Sequence, residues 1–320
     1  MTKPILYITR KVPDQIVKKI TSNFDVRMWE YEDQPVPRNV LLQEVRNADG
    51  ILCLISEQID KEILDQAKRL KIISNMAVGY DNIDVLAARE KGIVVTNTPD
   101  VLTETTADLT FALLMATARR LVEASDYIRN DQWTNWSPYL LAGSDIHRKT
   151  IGIVGMGRIG HAVAKRAKGF DMSILYHNRN RNRNAEVELQ AEYTDFESLL
   201  RNADFVVSLV PHTLETDQLF NKEAFAKMKS SAIFINASRG KVVDEDALLH
   251  ALHTKEIKAA GLDVFSTEPI RRDHSLVKLD NVVCLPHIGS ASVETRTRML
   301  QLCIENLEGY FFGKGPKTPV

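Results

Sequence analysis

Thr150 to Gly160 reads TIGIVGMGRIG, and this stretch decides the fold. Ile151 to Val154, apolar but for one glycine, run straight into Gly155-Met156-Gly157-Arg158-Ile159-Gly160. Beyond that the pattern turns helical: Ile159, Val163, Ala164, Ala167 and Phe170 recur at spacings of three and four. A buried strand, a glycine turn and the first turn of a helix, in that order, are what a dinucleotide-binding βαβ unit requires. Gly155 lets the chain reverse tightly, and Gly157 lets the backbone approach a pyrophosphate. Gly160 lets helix and strand pack closely, so that the positive end of the helix faces the phosphates. A glycine-rich turn in any α/β domain shares these letters; the strand before and the helix after favour the dinucleotide site.

Bulk properties narrow the rest. At 320 residues the chain is too long for one ordinary core, and two domains are expected. Apolar content of 44% and charged content of 26% are those of a soluble globular protein. A net charge of −1 gives no general attraction to nucleic acid or anionic membrane, so neither is expected as a partner. The longest apolar run, Leu109 to Ala118, is too short to span a bilayer, and MTKPILYITR lacks the apolar region of a signal peptide. A cytoplasmic protein is expected. Cys53, Cys284 and Cys303 lie far apart in apolar surroundings and read as buried core thiols, with no metal-ligand spacing and no metal expected.

Work outward toward the N-terminus and short apolar strands alternate with helical segments up to residue 99. Strands are expected at Ile5 to Ile8, Phe24 to Met28, Ile51 to Ile55, Lys71 to Ser74 and Ile93 to Thr96. That rhythm means a parallel sheet with helices on both faces, but this half carries no GxGxxG. Residues 100 to 125 read as one long helix, capped by Asp100 or Thr103. Asn130 to Ser144 then carries Trp133, Trp136, Tyr139 and Leu140, which suit either a subunit contact or a segment tucked under its own domain. From Thr150 a second α/β rhythm follows, with strands at Ser173 to His177, Phe205 to Val210, Ala232 to Asn236, Ala259 to Val264 and Val282 to Leu285. A final helix, Val293 to Phe311, has an apolar face that suits a return to the first domain.

In a dinucleotide fold the end of the second strand meets the adenosine ribose. An acid there suits the 2′-hydroxyl of NAD, and basic residues suit the 2′-phosphate of NADP. Here Ser173-Ile174-Leu175-Tyr176 ends in His177-Asn178-Arg179-Asn180-Arg181, with no acid before Glu186. Arg179 and Arg181 are planar donors fit for a phosphate monoester, whereas a carboxylate would repel it. NADPH is therefore expected over NADH, with NADH as the alternative and a solvated basic loop as the plain reading.

Three more stretches follow strand ends, where open parallel sheets bind ligands. They are Asn236-Ala237-Ser238-Arg239-Gly240, Asp263-Val264-Phe265-Ser266-Thr267-Glu268-Pro269, and Leu285-Pro286-His287-Ile288-Gly289-Ser290. Each alone has a dull explanation: a surface arginine, a helix-capping acid, a satisfied histidine. Together they supply a cation, an acid and a proton donor on one rim, which suits reduction of a 2-oxo acid.

These stretches, with NMAVGYDNID at 75 to 84 and TETTADL at 103 to 109, resemble the D-isomer-specific 2-hydroxyacid dehydrogenases over essentially the whole chain. Within that family the motifs are most similar to those of glyoxylate/hydroxypyruvate reductases and the related 2-ketogluconate reductases. The resemblance implies an α/β architecture of two doubly wound parallel-sheet domains. A Rossmann cofactor domain, residues 100–290, would be inserted into a flavodoxin-like substrate domain, residues 1–99 plus 291–320. It also implies a homodimer and a small 2-oxo or 2-hydroxy acid as substrate. His287 would be the general acid in reduction and the base in oxidation, and Glu268 would pair with it. Arg239 would hold the substrate carboxylate and polarise the 2-oxo group. The backbone amides of Val78 and Gly79 would grip that carboxylate from the other side. Thr106, Gly157, Arg158, Ile159, Val210, Pro211, Thr216, Ala237, Asp263 and Gly289 would line the cofactor groove, with Ser238, Ser290, Arg239, His287 and the His177 to Arg181 loop beside them. Asp263 would meet the nicotinamide amide. A non-catalytic dinucleotide sensor akin to corepressors, and a phosphite or formate dehydrogenase on the same scaffold, are the competing readings; the intact Arg239, Glu268 and His287 favour catalysis over the sensor.

Overall fold

A computed structural model describes residues 2–320. They form two compact units: residues up to Leu102 together with Ser292–Val320, and Thr103–Ala291. The first division falls after Leu102, where α5 begins. The second division lies between residues 291 and 292.

In the first unit, strands β1 (Ile5–Ile8), β2 (Asp25–Met28), β3 (Gly50–Cys53), β4 (Ile72–Asn75) and β5 (Val94–Thr96) alternate with helices α1 (Asp14–Ile20), α2 (Arg38–Val45), α3 (Lys61–Gln66) and α4 (Val85–Glu90). The strands are parallel in the order β2-β1-β3-β4-β5. β3 and β4 are buried throughout, as central strands of a parallel sheet covered on both faces are. Asp60 and Asp84 start α3 and α4 by accepting from the amides of Ile63 and Ala87. The C-terminal helix, Val293–Phe312, belongs to this unit: Leu300, Cys303, Ile304 and Leu307 pack with Leu6, Ile8 and Ile72. The Ser74 hydroxyl donates to the Cys303 carbonyl, and Pro319 pairs with Thr96 at the edge of the sheet.

The second unit opens with α5 (Thr103–Ala118) and α6 (Leu121–Arg129). The single helix expected over 100 to 125 is thus two. Arg120 takes a left-handed φ of 54°, and the Ala118 carbonyl accepts from the Ser144 amide at 2.8 Å instead of from the next helical turn. A tertiary partner, invisible to local pattern, ends the helix. Strands β6 (Thr150–Val154), β7 (Ser173–His177), β8 (Glu192–Tyr193), β9 (Phe205–Ser208), β10 (Ile233–Asn236), β11 (Ala259–Leu262) and β12 (Val282–Cys284) then alternate with α7 (Arg158–Lys168), α8 (Arg183–Leu189), α9 (Phe196–Asn202), α10 (Lys222–Lys227) and α11 (Glu245–His253). All seven strands are parallel, in the order β12-β11-β10-β9-β6-β7-β8. The direction of winding reverses between β6 and β9, which makes that crevice the switch point where such sheets take ligands. One apolar cluster lies on each face of the sheet.

Cys53 and Cys303 are buried as expected, but Cys284 is only partly covered. Trp133, Trp136 and Tyr139 are 60%, 79% and 86% exposed, so the segment that bears them does not tuck under its own unit. No described helix is long and apolar enough to cross a membrane.

Candidate active site

The glycine turn between β6 and α7 is built as its sequence requires. Gly155 has φ 105°, and a Cβ there would lie 2.7 Å from the Leu209 carbonyl carbon, so turn and β9 meet backbone to backbone. A Cβ on Gly160 would lie 2.2 Å from the Gly155 carbonyl oxygen. Gly157 differs from both: a Cβ there meets no atom within 4 Å. It also immediately precedes α7, where no side chain caps the helix and no acid occupies the first turn. The helix therefore presents uncapped amides and its positive end. Arg158 is exposed at its first position, and Ile159 packs on the core.

The loop after β7 is more committed than its sequence suggests. Glu186, eight residues past Asn178 in sequence, folds back to accept from Arg181 Nε and Nη2, both at 2.9 Å, and from the Tyr176 hydroxyl at 2.7 Å. Those donors hold its carboxyl down at about 2, Arg181 first. Arg181 also lies over the Tyr193 ring, 5.2 Å from its centroid. Its charge is thus matched within the loop, whereas Arg179 is exposed and forms no ion pair among the described residues. Met156, Asn178 and residues 180–184 line a cavity of about 390 Å³ beside the glycine turn. His177, at the end of β7, places Nδ1 3.1 Å from the Thr194 carbonyl.

On the far side of the switch point, the turn after β9 braces itself. The Thr216 hydroxyl donates to the Pro211 carbonyl at 2.7 Å, and the Val210 amide borders Gly155. After β10, the buried Asn236 side chain accepts from the amide and hydroxyl of Ser238 and donates to the Arg239 carbonyl at 3.0 Å. Ser238 shares a hydrogen bond with Ser208 of β9. The short 236–239 turn, Ala237 included, is fixed in this way, and Arg239 stands half-buried at its end with Nη1 on the Ser238 carbonyl at 2.8 Å.

After β11, the strap that bears Glu268 closes on itself: Glu268 Oε1 accepts from the Phe265 amide at 2.9 Å. Its other oxygen meets His287 Nδ1 at 2.7 Å. Burial pushes the Glu268 carboxyl up, but the His287 bond and charge, the Phe265 amide and Arg239 outweigh it and leave the group below its usual value. His287 follows β12 with a left-handed φ of 54°, a conformation that costs about 1–3 kcal/mol in a non-glycine residue and needs outside support. Asp263 supplies it: its Oδ1 accepts from the Ile288 amide at 2.8 Å. Burial raises the Asp263 carboxyl, while the Ile288 amide, His287 and the Gly289 amide draw it down. With Nδ1 engaged, Nε2 is the nitrogen left to exchange a proton with a ligand.

Thr106, Asp263 and Gly289, far apart in sequence, come together: a Cβ on Gly289 would lie 3.3 Å from Asp263 Oδ2 and from Thr106 Cγ2. Thr106 Oγ1 is buried and has no hydrogen-bond partner, so a polar group offered from outside the protein would satisfy it. Ser290 continues the same turn. The uncapped α7 terminus and the open space at Gly157 fit the phosphates of a dinucleotide cofactor, and the orphaned Thr106 hydroxyl beside Asp263 and Gly289 fits a further polar group of it. In the other unit, Asn97 and Asn75 donate to the Val78 and Gly79 carbonyls at 2.8 and 2.9 Å. Neither the Val78 nor the Gly79 amide donates within the described residues.

One participant has no signature in the pattern. Glu245 at the start of α11 accepts from both the amide and the hydroxyl of Ser266, and only its position six residues past Arg239 would have marked it.

The chain is similar to known proteins over nearly its whole length. Residues 111–289 match the model of the D-isomer specific 2-hydroxyacid dehydrogenase, NAD binding domain. A glyoxylate reductase of Pyrococcus horikoshii is 49% identical over 99% of this chain and 96% of its own length. A structure from Thermus thermophilus superposes with TM-score 0.92 at 43% identity, covering 99% of each chain. The NADPH-dependent glyoxylate/hydroxypyruvate reductase of Sinorhizobium meliloti, solved with NADP and malonate, gives TM-score 0.89 at 33% identity, covering 100% of this chain and 97% of that one.

Proposed function

The chain belongs to the D-isomer specific 2-hydroxyacid dehydrogenase family, and from that premise we propose that it reduces small 2-oxo acids to D-2-hydroxy acids with NADPH. Glyoxylate and hydroxypyruvate are the first substrates to consider, with 2-ketogluconate after them. Similarity to glyoxylate reductases over nearly the full chain supports the first two.

The glycine turn, the α7 terminus, Thr106 and Asp263 hold the cofactor, and Arg179 takes the 2′-phosphate. When bound, the nicotinamide supplies a hydride to C2 of the acid. The residues of the chain do the rest. Arg239 takes the substrate carboxylate and draws charge onto the 2-oxo oxygen, with the amides of Val78 and Gly79 as further donors to the carboxylate. His287 gives the proton from Nε2 to that oxygen as it becomes an alkoxide, and takes it back in the oxidative direction. Glu268 fixes the ring and favours its charged form. The observation that carries this reading is the 2.7 Å Glu268–His287 pair with the Arg239 charge acting on the same carboxylate.

A homodimer is part of the proposal. Leu121, Val122 and Ile128 on α6, with Trp133, Trp136 and Tyr139 beyond it, are large apolar side chains left exposed, which supports a subunit contact there. The test of function is NADPH oxidation followed with glyoxylate, hydroxypyruvate and 2-ketogluconate in turn. Turnover on one or more supports the reading, and no turnover on any 2-oxo acid overturns it.

A further inference from the structure

Glu268 does its work only if the strap Phe265–Pro269 holds it against His287, and three contacts fix that strap. The Phe265 amide donates to Glu268 itself. Gly240, next to Arg239, packs so closely that a Cβ would lie 1.7 Å from the Phe265 carbonyl carbon. The third contact is chemically the strongest. Ser266 donates its amide to Glu245 Oε1 at 2.7 Å and its hydroxyl to Glu245 Oε2 at 2.8 Å, so one ionised side chain grips the strap twice.

Glu245 is well placed for this. It is the first residue of α11, whose entry is fixed by Asp244 accepting from the Asp246 and Ala247 amides. A carboxylate there also gains from the helix dipole. Its remaining neighbours are His274 Nε2 at 3.6 Å from Oε2, and the Cys284 thiol, which burial first and the Glu245 charge second push up to about 11. The Phe265 ring packs against His274 at 6.1 Å. Behind the reacting trio stands a second group, Glu245, Ser266 and His274, that touches none of the reacting atoms.

We propose that Glu245 is a positioning residue: through Ser266 it sets the Glu268 carboxylate against His287, and so sets the proton donor. The proposal rests on the assignment of His287 as general acid. The charged groups that face Glu268 are His287, Arg239 and Asp263; those that face Glu245 are His274 and Cys284. Removal of Glu245 changes none of the first set. A change in the Glu268 titration therefore reports loss of placement rather than loss of a neighbouring charge.

The experiment is a carboxyl ¹³C NMR titration of Glu268 in the full-length protein, assigned with Glu268→Gln, in wild type, Glu245→Ala, Glu245→Gln and Ser266→Ala. Melting temperature and steady-state kinetics are measured on the same samples. With Glu245→Ala, the Glu268 titration moves up by about one unit as its partners are lost. The reduction kcat falls about tenfold to a hundredfold, while KM for the oxo acid holds because Arg239 keeps its own anchors on Asn236. Ser266→Ala, which spares the amide, and Glu245→Gln, which keeps an acceptor, move both readings the same way by less. They decide the question if Glu245→Ala does not fold. A lowered melting temperature with the Glu268 titration and kcat unmoved overturns the proposal. A moved titration in a protein that turns over no 2-oxo acid leaves the positioning role standing and removes the function instead.

Discussion

In the five-stranded sheet the winding reverses between β1 and β3, and in the seven-stranded sheet it reverses between β6 and β9. Topology alone makes both crevices ligand sites. In the first, the chain fills the crevice with its own carboxylate. Glu57, 3% exposed, accepts from the Thr9 and Ser56 hydroxyls, the Leu54 amide and Arg10 Nη2, so both oxygens are saturated from within. In the second, the crevice holds glycines and an uncapped helix terminus. One switch point has an internal anion, and the other is prepared for an external one. Side chains, not strand order, decide which crevice serves the chemistry.

Substitutions separate the two crevices. The largest effect is expected at the rim of the open one: His287→Ala removes a general acid, and reduction slows about 10²- to 10⁴-fold in steady-state assays while melting temperature holds. Undiminished activity would place the proton donor elsewhere. In the closed crevice the loss is of stability instead. Glu57→Gln strands buried donors and is expected to cost about 3 kcal/mol in urea unfolding of the first unit, with NADPH affinity unchanged. A drop in cofactor affinity without a drop in stability would mean that this crevice, too, takes a ligand. Gly157→Ala sharpens the contrast from the other side. The new methyl meets no protein atom, so melting temperature holds, but it occupies the approach to the cofactor. A fall of about tenfold in NADPH affinity by calorimetry is expected, equivalent to about 1.4 kcal/mol. The smallest effect concerns cofactor choice. Arg179→Ala weakens NADPH several-fold and leaves NADH unchanged, and Arg181→Ala does less because Glu186 already matches its charge. Equal losses for the two variants, or equal losses for the two cofactors, would contradict that division.

Much of this was open to reading from the chain. Buried parallel strands announce themselves as β-branched runs, and the Gly155–Gly160 turn has little freedom to be anything else. Arg239, Glu268 and His287 stood out as candidates because each lies a few residues past the end of a strand, where ligands bind. What escaped depends on partners distant in sequence or on one backbone angle. The break at Arg120 needs the Ser144 amide, and the two-residue β8 is too short to carry a period. Arg181 and Glu186 looked like a cation awaiting phosphate and an unrelated acid, but the loop folds so that each satisfies the other. Glu245 carried no signal of its own, because its grip on Ser266 depends on a strap that arrives 21 residues later.

The most direct test is a crystal structure with NADP⁺ and oxamate, an unreactive 2-oxo acid analogue. If Arg239, Glu268 and His287 do the chemistry, His287 Nε2 lies within about 3.2 Å of the oxamate oxo oxygen and the Arg239 guanidinium meets its carboxylate. An imidazole turned away from the bound analogue, with another donor on that oxygen, would contradict it.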